Sequence, residues 1–261
     1  MKWMLAGLLA LASGWAAAAQ WQESPEVAQL FQQQGLKGTF VLYDPQRETL
    51  VGHDRVRAER RYLPASTFKL ANSLIGLSTG AVSSVDEVLP YGGKPQPIKA
   101  WEKNMGLREA IRISNVPIYQ ELARRIGLPR MAEAVRRLDY GNAEVGKVVD
   151  IFWLRGPLKI SALEQARFVA GLAKGRLPFP ADAQAKVREI ALLEQGPDWA
   201  LYGKTGWATR EEPPIGWWVG WVEKQGEIQA FALNIDMTGE ADLPKRVELG
   251  KAALRQLGVI R

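Results

Sequence analysis

Cysteine is absent from this chain of 261 residues, and histidine occurs once, at His53. Without a thiol there is no disulfide and no cysteine nucleophile. A Ser-His-Asp triad would have to use His53, which closes the strand-like run Val51-Gly52-His53 and reads as a surface residue near a hairpin end. Neither His-Glu-x-x-His nor a His/Cys cluster is present, which argues against a zinc hydrolase and leaves no metal site to expect. Internal repeats and low-complexity linkers are also missing, and the length suits one domain with a substantial core. Charge is only mildly one-sided, with 34 Lys and Arg against 28 Asp and Glu and a formal net charge of +6. The basic residues are scattered: Arg55, Arg57, Arg60 and Arg61 alternate with Asp54 and Glu59, as in a solvated loop, and give no nucleic-acid surface. A mild positive excess attracts anionic small molecules instead.

Long apolar runs are equally scarce. One at the start, Trp3 to Leu11, follows Lys2 and leads to Ala17-Ala18-Ala19 before Gln20, an A-x-A pattern. Residues 1–19 therefore read as a secretory signal peptide. A membrane anchor is the rival, but Ser13, Gly14 and the alanines dilute the run below what a span needs. Residues 20–261 are expected to form the mature chain as a single domain.

Strand and helix signals are segregated along that domain. Ser24-Pro25 starts a helix through Phe31, stopped by Gly35. Thr39 to Tyr43 and Thr49 to Val51 are strand-like around a turn at Asp44-Pro45. From about residue 82 to 194 the sequence is mainly helical, with Pro117 opening one helix and Ser161 with Glu164 matching a capping box at the start of another. Strand character returns at Leu201 to Thr205, Ile215 to Val222 and Ile228 to Ile235, and a last helix runs from about Leu243 to Leu257. The fold class is α/β (α+β): an antiparallel sheet flanked by terminal helices, with an inserted helical region.

Chemistry is concentrated first in Ser66-Thr67-Phe68-Lys69, just after Pro64-Ala65. Three residues apart on a helix, the hydroxyl and the amine share a face. Ser66 at the helix N-terminus would meet free backbone N–H groups, and Lys69 is the only nearby base to activate it. Alone, Ser-x-x-Lys also fits an N-capping serine and a solvated lysine. Two further motifs in order change that: Ser114-Asn115-Val116 before Pro117, and Lys204-Thr205-Gly206 in a strand-like run. The set resembles the active-site motifs of serine β-lactamases and penicillin-binding proteins.

Position 116 distinguishes among them. An Asn there would hydrogen-bond the lysine ammonium and keep it charged. Val116 leaves the region apolar, and desolvation lowers a lysine pKa and exposes the neutral amine. Ser-x-Val, together with Tyr140-Gly141-Asn142, Phe152-Trp153-Leu154 and the strand Gly216-Trp217-Trp218-Val219-Gly220-Trp221, resembles the class D β-lactamases, the oxacillinase family. Two positions depart from the commonest pattern: Trp207 follows Lys-Thr-Gly where Phe is frequent, and Tyr91-Gly92-Gly93 stands where many members have Lys-Trp-Asp-Gly.

The resemblance implies a periplasmic enzyme that hydrolyses penicillin-type amides without metal or organic cofactor, as a monomer or homodimer with no membrane contact once mature. It implies that Lys69 is N6-carboxylated by CO2 or bicarbonate, takes the proton of the Ser66 nucleophile and later activates water. Ser114 would relay a proton to the lactam nitrogen, and Lys204 would keep the surroundings positive. Trp153 would donate to the carbamate, with Val116 and Leu154 lining its pocket. Thr205 and Arg246 would bind the substrate carboxylate, while the backbone N–H groups of Ser66 and Trp207, beyond Gly206, would form an oxyanion hole. Read singly, Trp153 also fits a core aromatic, Tyr140 and Asn142 a loop brace, and Arg246 a solvated arginine. Trp217, Trp218 and Trp221 read as sheet packing, and Trp101 as a residue bordering the cleft. A penicillin-binding transpeptidase or carboxypeptidase, or a β-lactam sensor, is the alternative.

Overall fold

In the computed structural model, which describes residues 20–261, β1 (Gln20–Glu23) leads into α1 (Pro25–Gln33). The signal-peptide reading of residues 1–19 lies outside the described residues. Ser24 caps α1, its Oγ accepting from the Val27 N–H at 3.3 Å, and Pro25 takes the first helical position, where a missing N–H costs nothing. The hairpin β2 (Gly38–Asp44) and β3 (Thr49–His53) follows, then the short helix α2 (Arg55–Glu59). A one-turn 3-10 helix, Ala65–Phe68, runs directly into α3 (Lys69–Ser78).

The inserted region comprises α4 (Leu107–Arg112), α5 (Val116–Ile126), α6 (Leu128–Arg137), α7 (Phe152–Arg155), α8 (Ala162–Ala173) and α9 (Ala181–Ile190). Ser161 and Glu164 form both halves of the expected capping box: the Glu164 N–H donates to Ser161 Oγ at 3.2 Å, and the Ser161 N–H to Glu164 Oε2 at 2.9 Å. The chain then returns to the sheet through β4 (Leu192–Gln195), β5 (Trp199–Ala208), β6 (Ile215–Lys224) and β7 (Glu227–Asp236), and closes with α10 (Lys245–Gln256).

The seven strands lie in the order β1-β3-β2-β7-β6-β5-β4. All neighbours are antiparallel except β1, which pairs in parallel with β3. Both faces are covered. Alternation along β6 sends Trp217, Val219 and Trp221 into the core under the inserted helices, and Trp218 and Val222 into a second core under α1 and α10. Helix α8 lies across β2, β6 and β7, so the middle of the sheet is buried on both sides. Burying each of these large side chains is worth about 1.5–3 kcal/mol, which makes the central strands a rigid platform for whatever β5 presents at its free end.

Three local expectations differ from the structure. The helical stretch ends at Ile190, and the exposed residues Leu192–Gln195 form an edge strand against β5. The basic run after His53 is not a solvated loop: it forms α2, and Arg57 donates to Asp236 Oδ1 at 2.6 Å and to Asn234 Oδ1 at 2.7 Å, while Arg61 pairs with Glu164. His53 ends β3 as expected but is half-buried, its ring centroid 4.8 Å from that of Phe31.

Candidate active site

The Ser-x-x-Lys pair is set by a 3-10 turn, not by an α-helix as the spacing alone suggests. Side chains three apart eclipse in a 3-10 helix, so Ser66 and Lys69 stand one above the other and Lys69 Nζ donates to Ser66 Oγ at 2.8 Å. The α-helix proper begins at Lys69, which puts Ser66 one turn before it. Ala65, immediately before the serine, has φ +47°, and Ser114 has φ +58°. Left-handed values at non-glycine residues cost on the order of 1–3 kcal/mol and persist where the surroundings over-determine them.

Strand β5 passes against this turn because residue 206 is glycine. A Cβ there would lie 3.0 Å from the Pro64 carbonyl oxygen and 3.1 Å from Thr67 Cγ2. The third residue of Lys-Thr-Gly is thus dictated by close approach, which brings the backbone at Gly206 and Trp207 beside Ser66. Gly216, opposite Trp207 on β6, has a similar reason: a Cβ there would lie 2.7 Å from Arg246 Cδ.

That space admits Arg246 from α10. It is not a solvated arginine. Only 9% of its surface is exposed, and it donates to the Gly206 carbonyl oxygen through Nη1 at 2.6 Å and to the Leu243 carbonyl oxygen through Nε at 2.8 Å. Lys204 is 5% exposed and donates to the Thr205 carbonyl oxygen at 3.0 Å. Lys69 is fully buried, its Nζ 5.3 Å from the centre of the Tyr119 ring. Like charge adds to burial at both lysines, and no acid among the described residues acts on the three cations. Burial, then the charge of Lys204, holds Lys69 well below the usual lysine range. Burial, then the charge of Arg246, lowers Lys204 to about 7. Burial alone lowers Arg246 to about 10. Two amines ready to lose their protons and one firmly charged guanidinium suit a site for an anion.

A cleft of about 570 Å³ opens over Ser66. Ser114 and Val116 line it from the α4–α5 turn and the start of α5, and Leu154 from α7. Thr205, Gly206 and Trp207 contribute from β5, and Arg246 from α10. Trp101 lines it too, its Nε1 donating to the Ile113 carbonyl oxygen at 3.0 Å. Asn115, between Ser114 and Val116, faces away: its Oδ1 caps α5 by accepting from the Ile118 N–H at 3.1 Å, and its Nδ2 donates to the Trp101 carbonyl oxygen at 3.3 Å. Trp153 is fully buried, stacked on Phe68 with ring centroids 5.5 Å apart, and its indole N–H has no protein acceptor. Buried polar groups are nearly always paired, so an unpaired donor of this kind calls for a partner of another origin. Trp217, Trp218 and Trp221 are core residues, as their spacing suggests.

Behind the Ser66 turn runs a buried network that the sequence did not reveal. Gln165 Nε2 donates to Thr67 Oγ1 at 2.7 Å, Thr67 Oγ1 donates to the Pro64 carbonyl oxygen at 2.7 Å, and Tyr140 OH donates to Gln165 Oε1 at 3.4 Å. Tyr140 also meets Phe68 edge-to-face at 5.5 Å. Asn142 accepts from the Lys159 N–H and donates to the Pro157 carbonyl oxygen, both at 2.9 Å. Tyr140-Gly141-Asn142 therefore braces the site from behind and contributes nothing to the cleft wall. The signal in the sequence was Gln165 on the apolar face of its helix, beside Ala162, Ala166 and Val169.

The family model of the penicillin-binding protein transpeptidase domain matches residues 38–255. Among characterised relatives, β-lactamase OXA-5 of Pseudomonas aeruginosa is 39% identical over 88% of this chain and 87% of its own length. β-Lactamase OXA-48 of Klebsiella pneumoniae is 38% identical over 94% of this chain and 92% of its own. Among solved structures, FUS-1 (OXA-85), a class D β-lactamase from Fusobacterium nucleatum subsp. polymorphum, superposes with a TM-score of 0.89 at 43% identity, covering 92% of this chain and 100% of its own. Likeness of that depth, over a chain whose three motifs meet in one cleft, shows that this protein belongs to the class D β-lactamases, the oxacillinase family.

Proposed function

We propose that this protein hydrolyses the β-lactam amide of penicillin-type antibiotics through an acyl-enzyme on Ser66, with Lys69 carboxylated by CO2 as its general base. Lys69 itself supports this most directly: it is fully buried, 2.8 Å from the serine hydroxyl, and subject only to positive charge. An amine that burial keeps neutral can add to CO2. The niche around it suits the resulting group: the unpaired Trp153 N–H is a donor in need of an acceptor, and Val116 and Leu154 on the cleft wall limit water. A carboxylate held there would supply general-base chemistry in both halves of the cycle.

The remaining steps fall to the chain's own groups. Ser66 Oγ attacks the lactam carbonyl. The backbone N–H groups of Ser66 and Trp207 receive the charge that develops on its oxygen, each such donor being worth about 3 kcal/mol. Ser114 returns a proton to the departing nitrogen, beside the positive charge of Lys204. Thr205 and Arg246 hold the substrate carboxylate, and a pKa of about 10 keeps Arg246 charged at neutral pH. The enzyme acts in the periplasm after removal of residues 1–19. Among the described residues no helix is long and apolar enough to cross a membrane.

Steady-state hydrolysis of benzylpenicillin in CO2-depleted buffer, before and after adding bicarbonate, tests the proposal. Turnover should fall at acidic pH and recover with bicarbonate, and labelled bicarbonate should give a carbamate carbon signal by NMR that Lys69→Ala lacks. A stoichiometric burst without turnover, as expected of a transpeptidase or a sensor, would overturn it, as would indifference to bicarbonate.

A further inference from the structure

We infer that Arg155 and Arg210 form a second anion subsite at the mouth of the cleft, selecting penicillins that carry a carboxylate on the acylamino side chain. This rests on the proposed β-lactam chemistry and narrows its substrate class. The cleft is lined by three arginines and by no acidic residue. Arg246 is buried and assigned to the carboxylate of the bicyclic nucleus. Arg155, at the end of α7, and Arg210, in the β5–β6 turn, are both exposed and are left over.

Neither has a carboxylate partner among the described residues, whereas Arg108 reaches Asp86 at 2.7 Å and Arg124 reaches Asp150 at 2.8 Å. Neither neighbouring acid neutralises Arg210: Glu212 is exposed and makes no ion pair with it. Glu211 is turned inward, accepting from the Leu63 N–H at 2.8 Å and lying 3.6 Å from Lys159.

The order of groups along β5 says which end of the substrate these arginines meet. With Thr205 assigned to the nucleus carboxylate and the Trp207 N–H to the reacting carbonyl, Thr209 and Arg210 lie further along the same wall. A substrate laid along the strand in that order directs its acylamino side chain toward residues 209–210, with Leu154 and Arg155 also on the wall. An anion on that side chain therefore enters a positive field that no acid of the cleft offsets.

Carbenicillin is benzylpenicillin with one added side-chain carboxylate, so this pair isolates the charge. The ratio of kcat/KM for carbenicillin to that for benzylpenicillin should fall about five- to tenfold in Arg155→Gln/Arg210→Gln, and further in Arg155→Glu, as expected for losing one or two partly exposed ion pairs. Raising the salt concentration should lower the wild-type ratio and leave that of the double variant nearly constant. Both side chains are exposed, so the variants should melt with the wild type. A ratio that moves by less than about twofold in the double variant and in Arg155→Glu would overturn the subsite. Should turnover stop at the acyl-enzyme, the hydrolysis proposal fails, and the same ratio taken from acylation rate constants still decides on the subsite.

Discussion

Replacing Lys204 by Met should stabilise the fold while removing activity. In the native state Lys204 is buried, lowered to about 7 by burial and by Arg246, and has only its bonds to the carbonyl and hydroxyl oxygens of Thr205 in return. In the unfolded chain it titrates near 10.5. Between those values the unfolded state holds the extra proton, so stability rises with pH across that window. At pH 8 the wild type forfeits about 3 kcal/mol on this account. Met fills a similar volume, stays uncharged and loses about 1 kcal/mol of hydrogen bonding, for a net gain of about 2 kcal/mol. For a chain of this length that is a rise of about 4–8 °C in Tm. Thermal melting from pH 7 to 10.5 in CO2-free buffer reads the effect, since a carboxylated Lys69 would pair with Lys204 and mask it. The gain should shrink steadily as pH rises and vanish near pH 10. A destabilised variant at pH 8, or a gain independent of pH, would refute the view that Lys204 is an uncompensated buried amine. The accompanying loss of kcat/KM would mark stability given up for function.

Other perturbations probe the surrounding geometry. Ser66→Ala should abolish acylation, and mass spectrometry after incubation with penicillin should find no adduct; a stoichiometric adduct would place the nucleophile elsewhere. Gly206→Ala puts a Cβ 3.0 Å from the Pro64 carbonyl oxygen, so the strand must shift. A stability loss of about 1–3 kcal/mol, seen in denaturant melts, should come with at least a tenfold fall in kcat, and wild-type kinetics would contradict close approach. Gln165→Leu leaves Thr67 and Tyr140 without their shared partner at a cost of about 1–3 kcal/mol. An unaffected melting curve in the Leu variant would deny the brace.

The end-loaded strands and helical middle were legible because β6 and β7 alternate large apolar side chains and because caps such as Ser24 and Ser161 mark helix starts. Strand β4 was not, since Leu192-Leu193-Glu194-Gln195 shows no alternation and is an edge strand only because β5 lies beside it. Strand β1 was missed for a similar reason, being four polar-rich residues held by pairing with β3. The reading of Arg57 as solvated failed because its partners, Asn234 and Asp236, lie far along the chain. Arg246 could be read either way until Gly216 was seen to make room for it.

The sequence alone determined the pairing of Ser66 with Lys69, the order of its three motifs and the exclusion of thiol and histidine-triad chemistry, because those depend on residue type and local spacing. Only the tertiary structure decided that Lys69 and Lys204 lie buried beside like charges, that Gly206 brings β5 onto the serine turn, and that Arg155 and Arg210 border one cleft without an acid. Dielectric, close approach and charge balance all depend on what surrounds a residue in space, and most of those surroundings are supplied by chain that is distant in sequence.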